Sequence, residues 1–140
     1  MIVLLAIKGW HITAIDVRNT FLYGKLDEEI YMEQPEGFKI NGQENKVLRL
    51  HRALYGLKQA ALAWWKELDA SMKRLGFTRF KSDAGIFILK HKDNIVIAIM
   101  YVDNGMFFSK DIAFANKQKK RFMDIWECRD LDLGEAQEFL

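Results

Sequence analysis

The sequence is poor in cysteine, in net charge and in long apolar runs, and each shortage narrows what it can be. Its single cysteine, Cys128, excludes an internal disulfide and a cysteine-rich zinc site. A lone thiol fits a reducing compartment. The 21 basic residues stand against 19 acidic ones, a net charge of +2. That surplus is too small to identify a nucleic-acid partner, so any basic patch has to be local. The apolar run after Met1, IVLLAI, has no basic region before it and no small-residue cleavage site after it. It is also too short to cross a bilayer. The expectation is an intracellular chain with no signal peptide, no transmembrane segment and no membrane partner; compartment and oligomeric state stay open. No internal repeat or low-complexity tract occurs.

What is present suits a globular domain. The 140 residues fit one domain. Half are hydrophobic and 29% are charged, which excludes a disordered chain. Ten Phe and four Trp supply a sizeable core.

The stretch Ile95–Ser109, IVIAIMYVDNGMFFS, organises the rest. Its first run shows no polar alternation, which predicts a central strand buried on both faces. Asn104-Gly105 between two apolar runs predicts a hairpin turn at that dipeptide. Asp103 then sits where a buried strand meets the turn. An acid there is placed for chemistry, and it serves equally as a turn former. Asn-Gly can also cyclise and deamidate, which would place an Asp at position 104 in an ageing chain.

Taken in order, Ile2–Ile7 reads as the last turns of a helix stopped by Gly9. HITAIDV (11–17) is a strand with Ile12, Ala14 and Asp16 on one face. A buried carboxylate at Asp16 needs a partner or a metal; an exposed one would cap the following turn. Phe21–Gly24 reads as a turn or short helix. Asp27, Glu28 and Glu29 read as a solvated loop or helix start before a strand-like IYM. Pro35-Glu36-Gly37 is a turn. KVLRLH (46–51) alternates as a half-buried strand should. Leu57–Leu75 is a helix with Ala61, Trp65, Leu68, Met72 and Leu75 on one face, ended by Gly76. Gly56 and Lys58 at its start form a candidate anion site. Gly85–Leu89 and Ile95–Val102 are strands joined by a turn at 91–94. Asp111 caps a helix running to about Trp126, with Ile112, Ala115, Phe122 and Trp126 inside and Lys117, Lys119, Lys120 and Arg121 on a solvated face. The order of elements predicts an α+β fold with helices on one face of a sheet, compatible with a split βαβ unit.

DVRNTFLYGKLDEEIYMEQPEGF, LHRALYGLKQA, LGFTRFKSDAGIF, YVDN and DLGEAQEFL, in that order, resemble the reverse transcriptase of copia-type LTR retrotransposons. The resemblance covers nearly the whole chain. It implies a polymerase palm: a ferredoxin-like antiparallel sheet with helices on one face, plus part of the fingers. It implies one partial domain over residues 1–140, with upstream fingers, thumb and RNase H outside it. The implied activity is RNA-directed DNA synthesis on an RNA or DNA template with a primer, from deoxynucleotide triphosphates. The implied cofactor is a pair of Mg²⁺ ions, a hard cation that takes carboxylate and phosphate oxygens. Asp16 matches the family's first catalytic aspartate, and Asp103 the first of an Asp-Asp pair, so both are expected metal ligands. Phe21 matches the aromatic beneath the nucleotide sugar. Gly56, Lys58 and, within YVDN, Tyr101 fall in motifs beside the incoming nucleotide.

Three departures bear on activity. Asn104 stands where the family has the second Asp. Ala60-Ala61-Leu62 replaces an Ala-Pro-Arg run, and DLDLGEA is two residues longer than the family's DLGEA. The implied outcome is a degenerate catalytic position at Asn104 and weak or absent activity, as in a pseudoenzyme. The alternative is a non-catalytic nucleic-acid-binding or interaction module that keeps the fold and uses Lys46, Arg49, Arg52 and Lys58.

Overall fold

The computed structural model describes residues 9–131. The expected helix before Gly9 and all of the DLDLGEA run after its first two residues, Asp130 and Leu131, lie outside them. The elements are β1 (His11–Val17), a 3₁₀ turn (Thr20–Tyr23), β2 (Lys25–Glu33), β3 (Val47–Arg52), α1 (Ala60–Arg74), β4 (Thr78–Arg79), β5 (Ile86–His91), β6 (Asn94–Tyr101), β7 (Asn104–Ser109), α2 (Ile112–Met123) and β8 (Cys128–Leu131). The fold is α+β, with two helices and an antiparallel sheet in the order β4-β5-β6-β7-β1-β8. β2 and β3 form a separate hairpin. Among the described residues, one compact unit is 9–20 together with 68–131; the other is Phe21–Glu67.

In the first unit, β1 lies between β7 and β8, so the earliest described strand is held by two of the latest. Alternation along the strands gives the six-stranded sheet two unlike faces. One carries Ile15, Val17, Phe87, Val96, Ala98, Met100 and Phe107, all buried. α2 adds Ala115 and Phe122 there, and the Phe107 ring meets Phe77 and Phe122 edge-on, with centroids 6.5 and 6.1 Å away. The other face carries Ile12, Ile88, Ile97, Ile99 and Met106, half-buried, together with Asp16. β6 is central as expected, but it is fully buried on one face only.

α2 starts at its expected cap, where the Asp111 carboxylate accepts from the Phe114 N–H at 3.0 Å. Ile112 is exposed rather than inside. Lys119 is buried rather than solvated, because its ammonium reaches Asp130 of β8 at 2.6 Å. Its long stem lies inside while its charge finds a carboxylate. The Trp126 indole N–H donates to the Ser71 hydroxyl (3.2 Å), and Arg121 donates to the Leu75 carbonyl (3.2 Å). These bonds tie α2 and the segment after it to the last turns of α1.

α1 begins three residues later than expected. Its first turns bury Ala60, Ala63 and Trp64, while Ala61 points to solvent. The Ala60/Ala63 line is small because Gly24 crosses it. A Cβ on Gly24 would meet the Ala63 Cβ at 2.8 Å and the Trp64 backbone nitrogen at 2.9 Å. Ala53, Ala60 and Ala63 form the core of the second unit, with Phe21, Leu26 and Leu57 packed on it.

Residues 27–29 are strand, not loop or helix start. Each acid has a partner: Asp27 pairs with Lys66, Glu28 accepts from Gln59 at 2.9 Å, and Glu29 pairs with Arg49 at 2.9 Å. The Lys66 ammonium on Asp27, by hydrogen bond and charge, holds that carboxyl below the usual range. β3 is exposed along nearly its whole length rather than half-buried. Among the described residues no helix is long and apolar enough to cross a membrane.

Candidate active site

The expected hairpin forms, but its turn lies one step earlier than the Asn-Gly signal places it. Tyr101 pairs with Asn104, so Val102 and Asp103 are the turn and Asn104-Gly105 opens β7. Val102 has φ +54°, a left-handed conformation that is unusual for a β-branched residue. Sheet pairing and core packing outweigh the intrinsic preference of Asn-Gly for the turn. Gly105 is needed in the strand for a different reason. A Cβ there would meet Met100 Sδ at 2.8 Å and Ile15 Cγ1 at 2.9 Å. Gly105 is paired on both sides, with Ile15 and with Met100, so the Asn-Gly dipeptide lies in the ladder and not in the turn. The flexible Asn-Gly turn on which deamidation was argued is thus a strand start in the folded chain.

β1 brings Asp16 to this hairpin. Asp16 lies directly across from Asn104, and the Val17 N–H donates to the Asp103 carbonyl at 2.7 Å. That bond makes 17/103 the hydrogen-bonded step. Asp16/Asn104 is then the close, non-bonded pair, whose Cα atoms come within about 4.5 Å of each other in antiparallel sheets. The Asn104 amide donates to Asp103 Oδ1 at 2.9 Å. Asp16 and Asp103 are partly buried and Asn104 is exposed. Two carboxylates from distant parts of the chain and one neutral amide thus meet at one end of the sheet. Asp16 is a strand residue on the half-covered face, not a turn cap; Thr20 supplies the hydroxyl that bonds back to the Val17 carbonyl (3.0 Å).

Two residues near Asp16 were not foreseen. Arg129 of β8 lies directly across from it, on the side away from Asn104. Cys128, across from Val17, is half-buried. No pattern in the four-residue CRDL run announces a strand; only pairing with β1 defines it. Burial, then the charge of Asp16, then that of Glu127, push the Cys128 thiol from 9.0 up to about 12. The protonated thiol is therefore favoured in the folded chain. Its contribution to stability is full below pH 9 and is lost as pH rises from about 9 towards 12. Iodoacetamide at pH 8 is expected to alkylate Cys128 at least 10-fold more slowly in the folded chain than in urea, and equal rates would contradict this placement.

The remaining candidates belong to two separate groups. Tyr101, at the end of β6, is 77% exposed. Phe21, Gly56 and Lys58 lie in the second unit. The Phe21 ring meets Tyr55 edge-on at 4.7 Å and packs on the alanine cluster. Gly56 (φ +94°) and Lys58 precede α1 instead of starting it, so they occupy a turn and not a helix N-terminus. Of the basic residues in the alternative reading, Arg49 is paired with Glu29 and Arg52 donates to the Tyr23 carbonyl.

Asp16 and Asp103 are hard oxygen donors of the type Mg²⁺ takes in ones and twos, and Asn104 adds a neutral carbonyl. The donor set fits a divalent cation with one carboxylate fewer than the family pattern. Among the described residues, no three His, Cys, Asp or Glu side chains gather into a metal site.

The family model for reverse transcriptase (RNA-dependent DNA polymerase) matches residues 1–140. The chain is 38% identical over 127 residues to the retrovirus-related Pol polyprotein from transposon TNT 1-94 of Nicotiana tabacum, which covers 90% of this chain and 9% of that protein. It is 40% identical over 104 residues to the corresponding polyprotein from transposon RE1 of Arabidopsis thaliana, covering 74% of this chain and 7% of that protein. A putative transposon Ty5-1 protein of Saccharomyces cerevisiae is 29% identical over 126 residues, 90% of this chain and 40% of that protein. The chain thus spans less than a tenth of the two plant polyproteins. No solved structure matches it. The chain belongs to the reverse transcriptase family, as part of the reverse transcriptase domain of a copia-type retrotransposon Pol polyprotein.

Proposed function

We propose that the chain is the palm-centred part of a template-directed DNA polymerase, with the sheet of the first unit as a split βαβ palm and the β2–β3 hairpin as residual fingers. In this reading all 140 residues are one partial domain. Asp16 and Asp103 hold the divalent cation, Phe21 lies beneath the nucleotide sugar, and Tyr101, Gly56 and Lys58 border the nucleotide and template. The single observation that carries the reading is the β1–β7 register, which sets Asp16 against Asn104 and ties Val17 to Asp103. When bound, Mg²⁺ would supply charge stabilisation for attack of a primer 3′-hydroxyl on a nucleotide α-phosphate. The chain's own task is to hold two carboxylates at a fixed separation on rigid strands. Asn104 removes one negative charge from that set, so the site is degenerate and the activity weak.

Extension of a labelled DNA primer on an RNA template, with deoxynucleotides and Mg²⁺ or Mn²⁺, tests this. The expected result is trace extension by the chain, at least 100-fold more by Asn104→Asp, and none by Asp16→Asn. Extension by Asp16→Asn equal to that of the unmodified chain would overturn the site. Failure of Asn104→Asp to gain would overturn the claim that Asn104 limits it. The second reading, a non-catalytic nucleic-acid module, keeps only Lys46 and Lys58 of its four cations clear of the pairings described above.

A further inference from the structure

On the helix-covered side of the sheet, opposite Asp16, a cleft of about 440 Å³ lies between β5, α2 and the end of α1. The register fixes the side. Leu89 stands across from Val96, one of the buried residues of that face, and His91 shares it two residues on. The volume is in the range of ligand-sized clefts. The floor is apolar: Leu75 is buried, and Leu89 and Phe114 are half-buried. The His91 ring stacks on Phe114, with centroids 6.2 Å apart. The charged residues of the rim, Lys117 and Arg121, are both cations and both exposed, and among the described residues no carboxylate lines the cleft.

Arg121 is held in place from one side. Its Nη1 donates to the Leu75 carbonyl at 3.2 Å and to the Gln118 side-chain oxygen at 2.7 Å. Gln118 is itself buried. Those two bonds use both hydrogens of Nη1. Among the described residues, Nε and Nη2 make no hydrogen bond. Together they form the fork that takes a carboxylate through two parallel hydrogen bonds. A guanidinium fixed before its ligand arrives loses little freedom on binding. Lys117, one turn earlier on the same helix face, has its ammonium free as well.

We propose that this cleft docks an acidic peptide segment of a partner protein. One carboxylate sits on the free edge of Arg121, a second meets Lys117, and an apolar side chain between them rests on Leu75, Leu89 and Phe114. The charge of the rim selects an acidic partner, and the floor selects one with an apolar side chain beside its acids. Nucleic acid would offer phosphates to the same cations but no side chain to the two leucines. The cleft is on the face away from Asp16, so the proposal depends neither on a metal nor on the polymerase reading.

The test is an NMR titration of the whole nitrogen-15-labelled chain, in EDTA, with the capped tripeptide Glu-Phe-Glu. The signals of Leu89, Phe114, Gln118 and the Arg121 Nε–H are expected to move together. The capped tripeptide Gln-Phe-Gln should bind about 10-fold more weakly or worse. Arg121→Gln is expected to weaken binding of the acidic peptide about 10- to 100-fold. Lys117→Gln, at an exposed position with no packing role, is expected to weaken it about 2- to 5-fold. The spectrum of each variant shows directly whether it is folded. A single-stranded RNA trinucleotide should bind more weakly than the acidic peptide and leave Leu89 and Phe114 unmoved. No binding of Glu-Phe-Glu at millimolar concentration, equal binding of Gln-Phe-Gln, or a trinucleotide that matches the peptide at the same signals overturns the proposal. None of these outcomes touches primer extension, so the catalytic reading stands or falls separately.

Discussion

Replacing Asn104 by Asp is expected to tighten Mn²⁺ binding by the chain about 100- to 1000-fold. Two unit charges about 4 Å apart at an effective dielectric near 20 interact by up to roughly 4 kcal/mol. Each 1.4 kcal/mol is about a factor of ten, so the ceiling is about 1000-fold. Arg129, across from Asp16, opposes a cation at the same place and brings the expectation below that ceiling. The same substitution has a cost without metal. It removes the hydrogen bond from the Asn104 amide to Asp103 and sets a third carboxylate against two others. Asn104→Asp should therefore melt lower than the unmodified chain in EDTA and higher in millimolar Mn²⁺. Calorimetric titration with Mn²⁺, joined to melting curves in both conditions, checks both signs. Affinities within threefold of each other would show that Asn104 and the two aspartates do not share a cation.

Replacing Phe107 by Ala is expected to lower stability by about 3–5 kcal/mol, a large part of the roughly 5–15 kcal/mol available to a domain. Phe107 is fully buried beneath the centre of the sheet and touches rings from two directions, Phe77 and Phe122. Its removal takes away the transfer energy of a large side chain and leaves a cavity between strands and helix, where neither can collapse freely. For a chain of this length the melting temperature should fall roughly 10–20 °C. Phe38, 80% exposed on a loop, is the control, and Phe38→Ala should stay within about 0.5 kcal/mol. Equal effects at the two positions would contradict the assignment of the core.

The sequence made the strand 11–17 legible because alternation and a β-branched run coincide there. It made α2 legible because Asp111 announces its start. It misplaced the turn after β6. Asn-Gly is a strong local signal, but Gly105 is consumed by close packing against Met100 and Ile15, a tertiary demand that no local pattern contains. Lys119 misled for a similar reason: its partner, Asp130, lies on a strand with no periodicity of its own. In the candidate site, the family motifs singled out Asp16, Asp103 and Asn104. Arg129 and Cys128 became visible only once β8 was seen to pair with β1.

The placement of β1 between β7 and β8 also has a consequence in time. Asp16 and Asp103 are 87 positions apart in the sequence, and β1 reaches its partners only when the hairpin that carries Asp103 exists. On a ribosome adding about 5–20 residues per second, the first strand waits roughly 4–17 s for the second. During that interval its apolar alternation has no native edge to join. Pairings of this sequence separation are slow to form even in a complete chain. The acidic site is thus assembled only after the hairpin that carries Asp103 has been made, before β8 covers the other edge of β1.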